Sequence, residues 1–243
     1  MNYDNLFFLV YQGGQCGEFL ADVLNQHPGL YRPRAEYEPN INKIRTHDII
    51  PSIIYKNLDI SEKERNILNN ILKNKKLVFR THYFTDYQSS FPGSKIIEVK
   101  SKKHKVFFGN LYSIKVERYR RPFLSVEEKT MAIINQSRRL VYTKNVNVFS
   151  LDIDKLFFSK DKNVYNDLCK FIGTTPDDIF WESILEYHQK NINLLLSMNL
   201  DPYQTDASIE QLIQNYLKIL ETAKHLDGYH YEPIIKSSSV TGS

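Results

Sequence analysis

The chain has 243 residues, 42% of them hydrophobic and 25% charged, with 16 tyrosines and 14 phenylalanines. That is enough for a sizeable core and too apolar for a disordered polypeptide. A net charge of +4 is too mild to require nucleic acid, and two cysteines are too few for a disulfide framework or a zinc set, which points to a reducing compartment. The opening MNYDNLFFLVYQGG has an apolar run too short for a signal peptide and no basic leader, and no stretch approaches the roughly 18 apolar residues of a membrane span. The expectation is a soluble cytoplasmic protein with no membrane partner.

In chain order, Leu6–Val10 is a short apolar run ended by glycines and predicts a buried strand. Residues 18–26 follow helical spacing, with Phe19, Leu20, Val23 and Leu24 on one side, until His27-Pro28-Gly29 stops them. Residues 31–51 are polar and proline-punctuated and read as loop. Ser61 with Glu64 forms a capping box for a helix running to about Lys73. Residues 76–81 (KLVFRT) and 95–99 (KIIEV) predict strands, 103–118 and 125–142 helices, and 146–151 (VNVFSL) a fourth strand. Helices follow over 161–172, 176–198 and 208–225. Strands alternating with helices predict an α/β fold of three layers, a mostly parallel central sheet flanked by helices. The expected organisation is one domain over 1–235 and a flexible tail over 236–243. In such sheets ligands bind beyond the carboxyl ends of the strands, where strand order reverses. Lys100, Lys102, Lys103, His104 and Lys105 crowd after the third strand, a run that is most often a solvated face and otherwise meets a polyanion or a phosphate.

The turn QGGQCGEF after the first strand fits no standard nucleotide loop. A Walker A loop needs GK[ST] and none exists; G-x-G-x-x-G fails in spacing; a cysteine phosphatase loop needs arginine at position 22, which is Asp22. What remains is general: the backbone N–H groups of Gly13, Gly14, Gln15, Cys16 and Gly17, with the open start of the next helix, can bind an anion without side chains, or can simply form a tight turn. Glu18 suits the helix dipole but competes with a bound phosphate, so it points away, is protonated, or acts as a base. Cys16 lies where a thiolate is favoured, although a small residue filling a turn is the commoner case.

LVFRTHYF puts Arg80, Thr81 and His82 at a strand end, where a histidine can act as a general base near neutral pH. The same tripeptide recurs as Arg45-Thr46-His47, followed by Asp48, so His47 is a rival base.

Taken in order, these parts resemble the sulfotransferase family of P-loop folds. LADVLNQHP ends in a His-Pro pair like the helix after the family's first loop, and VFRTHYF is similar to the K-T-H-like strand end that holds its catalytic histidine. SKIIEVKSKKHKVFFGN lies where a K-I-I-Y-V-like strand leads to the family's 3′-phosphate site. SLDIDKLF and LCKFIGTTPDDI echo its R-Y-E-D-L segment and its helix ending F-L-G. The matches run from about Leu6 to about Ile179.

The resemblance implies a P-loop NTPase-like architecture and sulfuryl transfer from 3′-phosphoadenosine 5′-phosphosulfate (PAPS) to a hydroxyl or amine, without a metal. It implies donor contacts at Gly13, Gly14, Gln15, Cys16, Gly17 and Glu18, and a 3′-phosphate near Ser101, Lys102 and Gly109. His82 is the implied base, with Arg80 standing in for a cation. The family's loop lysine or arginine, serine, glycine and threonine fall here on Gly14, Gln15, Cys16 and Gly17, and its 3′-site arginine and serine on Ser101 and Gly109. A second reading is therefore a nucleotide- or phosphate-binding protein without catalysis. A third is a different transferase, or a nucleic-acid-binding surface through KSKKHK and nearby Arg118, Arg120 and Arg121, which no base-stacking motif or basic recognition helix accompanies. The acceptor, a small molecule or a glycan, leaves no mark on the composition.

Overall fold

The computed structural model describes residues 3–32, 60–82, 87–119 and 147–223. Its strands are β1 (Leu6–Val10), β2 (Leu77–Thr81), β3 (Lys95–Lys100) and β4 (Val148–Asp152). All neighbours are parallel, in the order β2-β1-β3-β4, with Leu6 beside Leu77, Phe7 beside Lys95 and Ile96 beside Val148. The helices are α1 (Gly17–Leu24), α2 (Glu62–Leu72), α3 (Lys105–Tyr119), α4 (Lys162–Ile172), α5 (Asp178–Ser197) and α6 (Ile209–Ala223), with a helical turn at Tyr87–Ser90. Among the described residues no helix is long and apolar enough to cross a membrane.

The strand alternation builds two apolar layers. Phe7 and Leu9 join Val78, Ile97, Val99 and Leu151 on one face, packed against α1, α3, α4 and α5. Leu6, Phe8 and Val10 join Leu77, Phe79 and Ile96 on the other, with Leu68 of α2, Tyr87 and Phe91. β1 is buried along its whole length, as a central parallel strand covered on both faces must be. Phe8 stacks on Tyr87 at 3.9 Å and touches Phe79 and Phe91, and each such ring withdrawn from water contributes about 1.5–3 kcal/mol. This is the three-layer α/β arrangement that the alternation of elements predicts.

Local signals placed most elements to within two residues. The Ser61 box forms in full: its hydroxyl accepts from the Glu64 N–H, and its own N–H donates to the Glu64 carboxylate at 2.9 Å. Among the described residues, the helical turn Tyr87–Ser90 and the π-helical turn Asp154–Phe158 after β4 have no local signal. Asn25, just past α1, exchanges two hydrogen bonds with the Val78 backbone (2.9 and 3.0 Å), covering the outer edge of β2. His27 is buried, its Nε2 2.9 Å from the Tyr165 hydroxyl, so the His-Pro pair ties the end of α1 to α4. Burial holds the His27 pKa below its ordinary value. The expected helix over 125–142, His47 with Arg45 and Asp48, and the tail lie outside the described residues.

Strand order reverses between β1 and β3. The turn after β1 and the basic run after β3 therefore lie at the carboxyl edge where such sheets place their ligands, and the end of β2 lies on the other side of β1.

Candidate functional site

The ladder continues one residue past β1, where the Tyr11 N–H donates to the Thr81 carbonyl at 3.2 Å. The chain then turns on itself. The Gln15 N–H donates to the Gln12 carbonyl (3.1 Å), and the buried Gln15 side chain accepts from the Gln12 N–H (2.8 Å). Gly14 has φ of 86°, as the third residue of such a turn requires, and a Cβ there would overlap the Phe108 carbonyl of α3. A Cβ at Gly13 would enter the Tyr112 ring, and one at Gly17 the Tyr11 ring. Cys16 precedes α1 in the left-handed region (φ 58°), its thiol 3.6 Å from the Gly14 carbonyl, and gives the helix no side-chain cap. The three glycines thus have a packing reason: α3 and the Tyr11 ring press against this turn. The first turn of α1 keeps the partial positive charge that favours an anion.

Two side chains from β2 meet this turn. Arg80 alternates onto the α1 face, is only 6% exposed, and places Nη1 3.2 Å from the Glu18 carboxylate. Glu18 therefore answers a buried cation in addition to the helix dipole. His82 is exposed at the strand end. Its ring packs on the Tyr11 ring with centroids 4.3 Å apart, and its Nδ1 lies 3.1 Å from the Tyr11 carbonyl. A carbonyl only accepts, so Nδ1 carries the proton and Nε2 is the acceptor nitrogen of the neutral ring. Between them, Thr81 turns to the opposite face, where its hydroxyl accepts from Tyr87 at 2.9 Å.

The basic run is organised by an acid distant in sequence. The buried Asp154 carboxylate accepts from the Ser101 hydroxyl (2.6 Å) and from the Lys102 and Lys103 N–H groups (2.6 and 2.8 Å), and His104 Nδ1 lies 3.3 Å away. Burial alone would push the Asp154 carboxyl up. The Lys103 N–H, the Ser101 hydroxyl, the Lys102 N–H and His104 together outweigh it and hold the group below its ordinary value. A carboxylate of the chain itself thus sits in the nest before α3. The His104 ring stacks on Phe158 at 3.5 Å. Lys100 pairs with the buried Glu98 at 2.8 Å, while Lys102, Lys103 and Lys105 are exposed.

The fold thus gathers Gly13, Gly14, Gln15, Cys16, Gly17, Glu18, Arg80 and His82 at one edge. Ser101 and Lys102 follow the end of β3, held by Asp154, and Gly109 sits inside α3 with open space where a Cβ would be. Sequence reading did not single out Tyr11, Tyr112 or Asp154. Asp154 acts on a residue 53 positions away, and no local pattern marks such a contact. Among the described residues no cluster of three or more histidine, cysteine or acidic side chains could hold a metal.

No family model matches the chain, and no curated protein matches it. Among solved structures it is similar to a sulfotransferase from Alicyclobacillus acidocaldarius, with 15% identity, 80% of this chain and 96% of that chain covered, and a TM-score of 0.43. It is also similar to a retinol dehydratase solved with retinol and PAP, with 12% identity, 96% of this chain and 84% of that chain covered, and a TM-score of 0.38.

Proposed function

We propose that this chain is a sulfotransferase that moves a sulfuryl group from PAPS to a hydroxyl or amine of a small-molecule or glycan acceptor, with His82 as general base. The observation that carries this reading is the 3.1 Å contact between His82 Nδ1 and the Tyr11 carbonyl. It leaves Nε2 as the basic nitrogen of an exposed imidazole that follows the end of β2, and the next residues after Tyr11 form a turn and helix start suited to an anion. The order of motifs along the sequence supports the same reading.

In the reaction, the acceptor oxygen or nitrogen bonds to sulfur as the bond from sulfur to the bridging phosphate oxygen breaks. His82 Nε2 takes the acceptor proton, and 3′-phosphoadenosine 5′-phosphate (PAP) leaves with the electron pair. Transfer of this kind through a loose transition state rests on positioning and charge stabilisation. The donor's 5′ end belongs on the turn of residues 13–17, and its 3′-phosphate near the exposed ammonium groups of Lys102 and Lys103.

One observation favours the second reading, binding without catalysis. The stretch QGGQCG has no cation to assist the leaving group, and the buried Arg80 charge is already met by Glu18. Calorimetry with PAP and with adenosine 5′-phosphate, followed by a turnover assay with PAPS, separates the readings. Preference for PAP with transfer supports the enzyme, and preference without transfer supports the binder. Binding of neither nucleotide overturns both.

A further inference from the structure

The Tyr11 ring touches two things that the proposed reaction needs together. On one side it lies against Gly17, the first residue of α1, where a Cβ would collide with its Cγ, Cδ1 and Cε1 atoms. On another it packs on the His82 imidazole, centroids 4.3 Å apart and planes tilted by 58°. The main chain of the same residue is pinned at both ends, its N–H to the Thr81 carbonyl and its carbonyl to His82 Nδ1. Tyr11 is 3% exposed, so its ring has little room in which to move.

We infer that Tyr11 is the positioning residue of His82, fixing both its tautomer and its ring plane, and that position 17 is glycine because the Tyr11 ring needs that space. The inference rests on His82 being the base. It also gives the last glycine of the turn a role distinct from phosphate contact: Gly17 acts on the base through a tyrosine. Any side chain there displaces the ring, and with it the carbonyl and the face that hold the imidazole.

The test is ¹⁵N NMR of histidine-labelled full chain across pH, with donor and acceptor kinetics beside it. Wild type shows the Nδ1–H tautomer for neutral His82. Tyr11→Phe, which keeps ring and carbonyl, retains it. Tyr11→Leu and Gly17→Ala lose it to a mixture; in Tyr11→Leu, which changes no residue of the donor turn, kcat falls about 100-fold, the scale of an ångström's misplacement, while KM for the donor changes by less than about threefold. A folded Tyr11→Leu protein that keeps the wild-type tautomer overturns the inference, as does wild type without that tautomer. Should neither variant fold, nuclear Overhauser contacts between Tyr11 ring protons and the His82 imidazole in wild type decide it, their presence supporting the inference and their absence overturning it. The spectra need no substrate. A chain that binds no donor therefore fails the transfer reading alone, and an unchanged tautomer in an active enzyme fails the positioning alone.

Discussion

Arg80 and Glu18 form an ion pair, Nη1 to Oε1 at 3.2 Å, that ties the end of β2 to the first turn of α1. The guanidinium is buried and the carboxylate is the more exposed partner, so an incoming anion meets Glu18 first. Glu18→Gln keeps the shape and removes the negative charge. It is expected to tighten PAP binding roughly fivefold, a gain of about 1 kcal/mol from one fewer like charge near the site. The same change lowers stability by about 1 kcal/mol, because Arg80 loses its charged partner. Calorimetry and urea unfolding measure the two effects. Unchanged affinity would mean that the anion does not approach α1.

His82→Ala removes an exposed imidazole whose ring packs on Tyr11 at the edge of the core. Turnover with PAPS should fall by 10² to 10⁴, roughly the contribution of a positioned base, with PAP affinity within about threefold of wild type. Near-normal turnover would pass the role to His47 or Glu18.

Asp154 holds Ser101 and two backbone N–H groups, so Asp154→Ala strands three donors and should cost about 3 kcal/mol at pH 7. The folded carboxyl is held below its unfolded value, so its contribution is present above about pH 4 and fades as pH falls below that. Unfolding of wild type and Asp154→Asn at pH 7 and near pH 3 should show the gap narrowing in acid. A constant gap would contradict the ionised state.

His188 of α5 lies among Phe107, Phe157 and Phe158. Burial foremost, then the charges of Lys160 and His104, push it down to about 4. A folded value below the unfolded one, about 6.5, means that the unfolded chain binds the proton more readily. Stability therefore falls as pH drops from about 6.5 toward 4, by up to about 3 kcal/mol from this group. His188→Phe should flatten that part of the stability profile while leaving the Asp154 effect at lower pH. An unchanged slope between pH 6.5 and 4 would show that His188 is not held neutral.

Gly14 and Gly109 should respond to alanine in opposite directions. At Gly14 the left-handed backbone costs about 1–2 kcal/mol before the overlap with the Phe108 carbonyl is added. Gly109, with open space at mid-helix, should gain roughly 0.5–1 kcal/mol. Thermal unfolding of the two variants checks both signs.

The alternation of apolar runs with helical periods was enough to read the four strands, their parallel layering and the Ser61 cap, because each depends on residues within a few positions of one another. His82 and Arg80 were legible as a strand end for the same reason. Their partners were not. That Arg80 meets Glu18, and His82 meets Tyr11, follows from β2 lying beside β1 in one register, Val10 opposite Thr81.

The turn QGGQCG shows the division most sharply. By itself the sequence determined that a glycine turn follows a buried strand and starts a helix, and that it lacks lysine, serine and threonine. Only the tertiary structure decided why the glycines are there, since the Tyr112 ring, the Phe108 carbonyl and the Tyr11 ring occupy the space that side chains would fill. It likewise decided that Asp154 fills the nest before α3. Spacing along the chain fixes what a residue can do for its neighbours, whereas close packing and opposite charge act across distances that only the fold sets.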